Sequence, residues 1–260
     1  MEDAALCPAG EGLSRTCLGR FSVENNAPGK SFQRLRVQAA GRNWSLARPA
    51  DLESLWQQMD DSDPGAEDNI PYWVELWPAT VALCGWLAGR DLSGRVCLDL
   101  GCGLGLSVLV ASVLGARVVG MDHQHEALCF AALNARENAV SSPLWICADW
   151  NRPALAAGVF DHIWGGDVFY EQRFFEPLEK LLLRCLKPDG RAWFADPERT
   201  VSRDVWSRFA RRGWKVADRG HERVPSDQTT VAVTLWELSR PVFSPQPDSG
   251  AGQGLRRCPE

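Results

Sequence analysis

The sequence has no long apolar run and no cysteines or histidines at the spacing of a zinc site. No uninterrupted apolar stretch approaches the ~20 residues that a membrane-spanning helix needs. The N-terminal MEDAALCPAGEGLSR is acidic and has no apolar centre, so we expect no signal peptide. There are four histidines, and no two cysteines are spaced C-x-x-C, which argues against a structural metal. These absences predict a cytoplasmic protein without a membrane partner.

Positive charge is also scarce. The 260 residues contain 28 Lys and Arg against 33 Asp and Glu, which gives a net charge of -5. A broad basic face for nucleic acid is therefore not expected. The nine cysteines are an odd number, and most lie inside apolar segments. They are expected to be buried thiols in a reducing compartment rather than a disulfide framework, in particular Cys84, Cys97, Cys129, Cys147 and Cys185.

Composition and periodicity divide the chain into four parts. Residues 1–20 and 241–260 are rich in Pro, Gly and Ser and are predicted to be flexible termini. Residues 21–69 are predicted to form a hairpin around Gly41 and a short helix, which either shape a substrate entrance or cover a sheet edge. Residues 70–240 alternate apolar strands with helices, and the later strands are predicted at 191–196 and 214–220. This alternation predicts an α/β domain with a mostly parallel seven-stranded sheet, helices on both faces and an antiparallel last strand.

The ends of four predicted strands carry the residues typical of a ligand site. The first strand leads into GCGLG, in which Gly101, Gly103 and Gly105 permit a tight turn and a close approach of a ligand. The next three strands end at Asp122, Asp149 and Asp167. Ligands of parallel sheets bind outside the carboxyl ends of the strands, where all four ends should meet. A plain strand-to-helix turn is the alternative for the glycines.

Two features of this edge define the ligand. The glycine spacing departs from G-x-G-x-x-G, and the loop has no Lys or Arg, so a pyrophosphate is not expected. Asp122, 21 residues after Gly101, stands where a carboxylate accepts both hydroxyls of a ribose. Asp149 can accept from an adenine amino group, and Trp150 can flank the ring; a solvated turn acid is the alternative for both acids. S-adenosylmethionine suits this description.

Several motifs then resemble one family. LDLGCGLG, VVGMD, CADW and FDHIWGGDVFY resemble the class I, seven-β-strand methyltransferases, which have a Rossmann-like fold. Asp167-Val168-Phe169-Tyr170 and the Trp77-Pro78 pair resemble the D-x-x-Y and Trp-Pro motifs of their protein lysine methyltransferase branch. FADPERT (194–200) is most like the electron transfer flavoprotein β-subunit lysine methyltransferases, with Glu198 where they have glycine. The resemblance covers about residues 70–238.

The resemblance implies S-adenosylmethionine as cofactor and a lysine-bearing protein as substrate. We expect the protein to be a monomer. It implies catalytic roles for Asp167 and Tyr170. The cofactor-binding residues that it implies are Trp77, Asp99, Gly101, Gly103, Gly105, Asp122, Asp149, Trp150 and Asp167.

Alternatives stay open at this stage. The substrate could be a small amine, or the chain could be a non-catalytic module that binds the cofactor or a partner. Asp167 could accept the proton of the incoming amine or only orient it, and without the resemblance Asp167 and Tyr170 would be a helix N-cap and a core aromatic. Asp196 could shape the substrate rim or cap the next helix. Trp73 and Trp77 could equally be core residues, and His123 and His125 are expected to be surface residues.

Overall fold

The computed structural model of the chain describes residues 32–57, 70–141, 143–226 and 229–241. The flexible segment predicted at 1–20, and the predicted tail after residue 241, lie outside the described residues. Within the described ranges, no helix is long and apolar enough to cross a membrane. No group of three or more His, Cys, Asp or Glu side chains that could hold a metal ion occurs in the same part of the chain.

Seven strands form the central sheet. In space they follow the order β5-β4-β3-β6-β7-β9-β8, in which β5 to β7 are mutually parallel and β9 is antiparallel to both of its neighbours. The predicted mostly parallel sheet with an antiparallel last strand is therefore confirmed. The strands are β3 (Val96–Leu100), β4 (Arg117–Asp122), β5 (Leu144–Cys147), β6 (Phe160–Gly166), β7 (Leu186–Asp196), β8 (Lys215–Ser226) and β9 (Thr229–Ser239).

Helices cover both faces of this sheet because its strands are apolar on both sides. Leu83, Leu109 and Leu128 belong to a core on one face, and Leu178 and Phe209 belong to a second core on the other. The first face is covered by α2 (Pro78–Ala88), α3 (Leu106–Val113) and α4 (His125–Glu137), and the second by α5 (Phe175–Cys185) and α6 (Arg203–Arg211).

A separate two-stranded hairpin packs on α4. It consists of β1 (Phe32–Ala39) and β2 (Arg42–Pro49), joined at Ala40 and Gly41 as predicted, and is followed by α1 (Leu52–Gln57). The side-chain amides of Asn134 and Asn138 on α4 each accept from and donate to the backbone of β2, at Ala47 and Ser45 respectively. The hairpin therefore covers a helix rather than the edge of the main sheet.

The structure corrects three expectations. The strand predicted at 191–196 begins earlier, at Leu186, and the strand predicted at 214–220 extends to Ser226. Cys147 is exposed and Cys129 is half-buried, although both were expected to be buried thiols. Cys147 ends β5, which is the outermost strand of the sheet and has a neighbour on one side only. Cys84, Cys97 and Cys185 are buried as expected.

Candidate active site

A cavity opens where β3 and β6 diverge, at the carboxyl ends of the parallel strands. Chain connections leave this pair in opposite directions, since β4 and β5 lie beyond β3 whereas β7 lies beyond β6. Such a switch point is where doubly wound sheets bind their ligands. The lining includes Tyr72, Trp77, Thr80, Gly101, Gly103, Gly105, Asp122, His123, Trp150, Asp167 and Tyr170.

The glycine loop after β3 needs glycines for two different reasons. Gly103 has a φ of 49° and directs its N–H at Asp122 Oδ2, 2.9 Å away. Gly105 has a φ of 87°, and a Cβ there would lie 3.0 Å from Cβ of Ala131 on α4. Left-handed φ values strain other residues. Gly103 therefore shapes the rim of the cavity, whereas Gly105 lets the loop pack closely on α4.

Asp122 ends β4 with its carboxylate held by backbone donors. Its Oδ2 accepts from Gly103, and its Oδ1 accepts from the N–H of Gln124 at 3.0 Å. Burial raises the pKa of Asp122 above its ordinary value, and these N–H groups oppose that shift. Each oxygen has a second lone pair. The carboxylate can therefore still accept the ribose hydroxyls that the sequence analysis assigned to it.

Asp99 lies beneath the loop rather than at the cavity. It is 1% exposed, and its carboxylate accepts from the Ser107 hydroxyl on α3. Burial raises the pKa of Asp99 to about 7, and the neighbouring charge of Asp122 acts in the same direction. Asp99 lines neither this cavity nor the recess beside it, and its bond to Ser107 supports the glycine loop from below.

The predicted adenine end lies beside the cavity mouth. Asp149 and Trp150 line an adjoining recess together with His123 and Phe174. The Trp150 ring packs edge-on against Phe174, with centroids 5.1 Å apart. Asp149 Oδ1 already accepts from the backbone and side-chain N–H groups of Asn151, at 2.8 and 3.0 Å. Asp149 thus forms a local turn and still faces the recess.

Asp167 lines the same cavity as Asp122 and has a strained backbone conformation. Its φ is 57°, and its N–H donates to the carbonyl of Ala195 on β7 at 2.8 Å. The residue before it, Gly166, packs so close to α2 that a Cβ would lie 2.9 Å from Thr80 Oγ1. Asp167 precedes no helix directly, so the N-cap alternative does not hold. Strain of this kind persists where the surrounding structure imposes it.

Aromatic side chains enclose Asp167. Tyr170 packs edge-on against Tyr72 at 5.3 Å between ring centroids, and the Trp77 indole donates to the Tyr72 carbonyl at 2.9 Å. Burial raises the pKa of Tyr170, so its hydroxyl stays a donor at neutral pH. Trp73 is 7% exposed and packs on Phe130 at 5.6 Å, in agreement with the core alternative.

Arg199, a residue that the sequence motifs did not single out, binds Asp167 in a bidentate ion pair. Arg199 Nε lies 2.8 Å from Asp167 Oδ1, and its Nη2 lies 2.6 Å from Oδ2. The guanidinium also faces the Trp77 ring, 5.6 Å from the centroid. Its signal in the sequence was FADPERT, where we considered the replaced glycine but not the arginine beside it.

The loop that carries Arg199 is anchored on both sides. Asp196 is 4% exposed and accepts from Ser202 Oγ and Trp206 Nε1, at 2.8 and 3.2 Å. It therefore ties the loop to the start of α6 through side chains, whereas the N-cap residue of that helix is Ser202 and no side chain caps its backbone. Glu198 has a φ of 56° and accepts from Thr234 Oγ1 of β9 at 2.5 Å. Glycine adopts this conformation without strain.

The charge of the cavity fits S-adenosylmethionine. Glu75, Asp122 and Asp167 line it, and no Lys or Arg does so among the described residues. This lining disfavours phosphate and favours a ligand with hydroxyls, an amino group and a positively charged sulfur. Asp122 and the glycine loop would hold the ribose and the amino-acid end, and Asp167 would face the methyl group.

Comparisons with known proteins agree with this fold and ligand. Residues 98–194 match the family model described as a methyltransferase domain. Ribosomal protein L11 methyltransferase of Vibrio parahaemolyticus is 34% identical over 160 residues, which cover 59% of this chain and 52% of that protein. The chain spans about half the length of the curated relatives it matches.

Two solved structures share the fold. Ribosomal protein L11 methylase from Lactobacillus delbrueckii subsp. bulgaricus aligns with a TM-score of 0.50 and 16% identity, over 63% of this chain and 78% of that chain. Magnesium protoporphyrin IX methyltransferase from Synechocystis PCC 6803, solved with bound S-adenosylmethionine, aligns with a TM-score of 0.52 and 17% identity, over 74% and 92%. The common element is the sheet with its connecting helices.

Proposed function

We propose, from the premise that the chain has a Rossmann-like class I methyltransferase fold with S-adenosylmethionine as its cofactor, that it methylates lysine side-chain amines of a protein. The observation that carries this proposal is the position of Asp167. Its carboxylate lies at the inner end of an aromatic passage formed by Tyr72, Trp77 and Tyr170. Such a passage suits an amine at the end of a long apolar chain.

The protein's share of the reaction is positioning. S-adenosylmethionine supplies a methyl group bonded to positive sulfur, and the electron pair of the broken C–S bond stays on that sulfur. A new N–C bond forms in line with the bond that breaks, so holding the amine and the methyl group together lowers the barrier. Asp122 and the glycine loop would fix one reactant, whereas Asp167 and Tyr170 would fix the amine.

The amine must also lose a proton before it attacks. A free lysine has a pKa of about 10.4, so most of it is charged at neutral pH. The Asp167 carboxylate can orient the nitrogen by accepting one N–H, and the proton then leaves to solvent or passes through the carboxylate. Tyr170 would wall the passage and donate its hydroxyl.

Two proteins are candidate substrates. The resemblance of FADPERT and D-x-x-Y points to electron transfer flavoprotein β-subunit. The curated relatives carry the name ribosomal protein L11 methyltransferase, which makes a ribosomal protein the second candidate. We take the electron transfer flavoprotein subunit first because the motifs lie at the Asp167 end of the cavity, where the substrate would bind. A cytoplasmic location and a monomeric state stay predictions.

A labelling experiment tests the proposal. Purified protein and methyl-labelled S-adenosylmethionine are added to a lysate of the host, with Asp167→Ala as the control. We expect a discrete labelled protein, absent with the variant, and digestion should locate the label on lysine. Label on another residue type would exclude the lysine assignment. Label only in the small-molecule fraction would instead support a small amine as substrate.

A binding measurement distinguishes an enzyme from a non-catalytic module that only binds the cofactor. We expect S-adenosylhomocysteine to raise the melting temperature, because a ligand that binds only the folded state stabilises it. Stabilisation without transfer to any lysate component or to either purified candidate would identify a non-catalytic binding module. Stabilisation by NAD instead would overturn the cofactor assignment.

A further inference from the structure

We propose that Arg199 is a positioning residue that neutralises Asp167, so that the target amine enters beside an ion pair with no net charge. This inference rests on the proposed function and goes beyond it, because it assigns a role to a residue that does not touch the reacting atoms. The role concerns the charge state of the incoming amine.

The first support is the geometry of the pair. Both guanidinium–carboxylate contacts are short, at 2.6 and 2.8 Å. The Asp167 side chain is 6% exposed, whereas that of Arg199 is 40% exposed. The carboxylate thus faces the cavity from inside the protein, and the guanidinium covers it from the solvent side. The hydrogen bonds to Asp167 raise the pKa of Arg199, so the guanidinium stays charged.

The second support is the loop, which fixes Arg199 independently of Asp167. Asp196 and Ser202 join its two ends, and Glu198 ties its middle to Thr234 on β9. The Trp77 ring lies on one face of the guanidinium. Three contacts outside the ion pair therefore hold the loop and its arginine where the guanidinium meets the carboxylate.

The third support is electrostatic. An uncompensated carboxylate within ~4–6 Å of an amine favours its charged form by about 1–3 pKa units. A charged ammonium has no lone pair and cannot attack the methyl group. Asp167 alone would therefore bind the substrate well and hold it in the unreactive form. Pairing with Arg199 removes most of this effect and leaves the oxygen atoms available as acceptors.

The other polar groups near Asp167 do not replace Arg199. No other Lys or Arg lines the passage among the described residues. The charged and titratable groups that face Asp167 or its cavity come from five places in the chain: Glu75 and Tyr72 before α2, Cys102 in the glycine loop, Asp122 and His123 at the end of β4, Tyr170 and Glu171 after β6, and Asp196 and Arg199 at and after the end of β7. Apart from the arginine and the histidine, these groups are acids, phenols and a thiol.

A binding test does not require turnover. Sinefungin is a cofactor analogue in which a carbon bearing an amino group replaces the methylsulfonium, so it places a cation where S-adenosylhomocysteine has none. With Arg199→Met, we expect sinefungin to gain about tenfold in affinity relative to S-adenosylhomocysteine, because its cation faces an uncompensated carboxylate. Asp167→Asn should shift the ratio in the opposite direction. An unchanged ratio in Arg199→Met would overturn the inference.

A matched control isolates the position of the charge. Arg219 also makes a 2.6 Å ion pair, with Glu237, and its side chain is 46% exposed. Arg219→Met removes the same charge from β8, the strand at one edge of the sheet. It should leave the affinity of sinefungin relative to S-adenosylhomocysteine unchanged. Arg199→Lys keeps the charge and should retain a ratio near that of the unaltered protein. An equal shift in Arg219→Met would assign the effect to net charge and contradict the role of Arg199.

A kinetic test uses the pH profile of kcat, which reports groups in the substrate complex. In Arg199→Met, the rising limb should move up by about one pH unit or more, while KM for the protein substrate is unchanged or lower. A purely structural role would instead lower kcat equally at every pH, which would overturn the inference. If the unaltered protein transfers no methyl group, the proposed function fails, yet the sinefungin ratio still tests Arg199.

Discussion

The two acids of the site differ in what holds them. The Asp122 carboxylate accepts from the backbone N–H groups of Gly103 and Gln124. Both donors are neutral and lie in the loops that follow β3 and β4. Asp167 is held by a charged side chain from a loop that follows β7. Asp122 therefore keeps its negative charge toward the cavity, whereas Asp167 shares its charge with Arg199. One arrangement suits neutral hydroxyls, and the other suits an amine that must become neutral.

Replacing Asp167 should have the largest effect on turnover. We expect Asp167→Ala to lower turnover by at least ~100-fold, the range typical of a positioned acid–base group, while S-adenosylhomocysteine affinity changes little. Methyl transfer and calorimetric binding measure the two quantities. Asp204→Ala, on the exposed face of α6, serves as the control. Full activity in Asp167→Ala would remove the D-x-x-Y motif from the mechanism.

Replacing Asp122 should instead affect the binding of the cofactor product. We expect Asp122→Ala to weaken S-adenosylhomocysteine binding by roughly 10–100-fold, because a charged acceptor of hydroxyl groups contributes about 1.5–3 kcal/mol. Asp149→Ala should cost at most about threefold, since Asn151 already occupies its carboxylate. Titration calorimetry compares the two variants. A larger loss in Asp149→Ala would transfer the main anchor to the adenine end.

Substitutions of glycine test how closely the glycine loop beside Asp122 packs on α4. Gly105 and Gly41 both have positive φ, but a Cβ meets a neighbour at 3.0 Å only at Gly105 and nothing within 4 Å at Gly41. We expect Gly41→Ala to cost about 1 kcal/mol of unfolding free energy through strain alone. Gly105→Ala should cost about 2–4 kcal/mol because crowding adds to it. Equal losses in urea unfolding would show that α4 gives way.

The smallest expected effect concerns Asp99 and pH. Burial raises its folded-state pKa from 3.8 to about 7, so the folded protein binds this proton more tightly than the unfolded chain does. The stabilisation is complete below about pH 4 and is lost as pH rises to about 7. The unfolding free energy of Asp99→Asn, relative to the unaltered chain, should therefore rise between pH 5 and 8. A difference that is constant with pH would refute this assignment.

Most of the fold could be predicted because its signals are local. Apolar strand runs and the helices between them give the alternation of a parallel sheet, and Gly41 marks the hairpin turn. The start of β7 was missed because Pro188, Asp189 and Gly190 resemble a turn, yet here they lie inside the strand. The exposure of Cys147 depends on the strand order, which periodicity does not reveal.

The site residues also fall into a part that the sequence predicts and a part that it does not. The Asp122 side arises from a loop and a strand end that are 19 residues apart, and standard spacing identifies it. The Asp167–Arg199 pair joins residues 32 apart, and it depends on a loop conformation that no periodic pattern encodes. Asp99 was assigned to the cofactor because of its place in LDLGCG, but β3 is buried on both faces from Cys97 to Leu100, and the Asp99 carboxylate bonds to Ser107 on α3 instead of lining the cavity.

Asn134, which is fully buried on α4, connects the hairpin to the glycine loop. Its amide bonds to Ala47 of the hairpin and also donates to the carbonyl of Leu104 in the glycine loop at 3.0 Å. A ligand that orders the glycine loop therefore also favours the docked position of the hairpin. By thermodynamic reciprocity, the docked hairpin favours binding of the ligand. The amide protons of β2 should exchange with solvent deuterium more slowly once the ligand binds, although the hairpin lies outside the cavity.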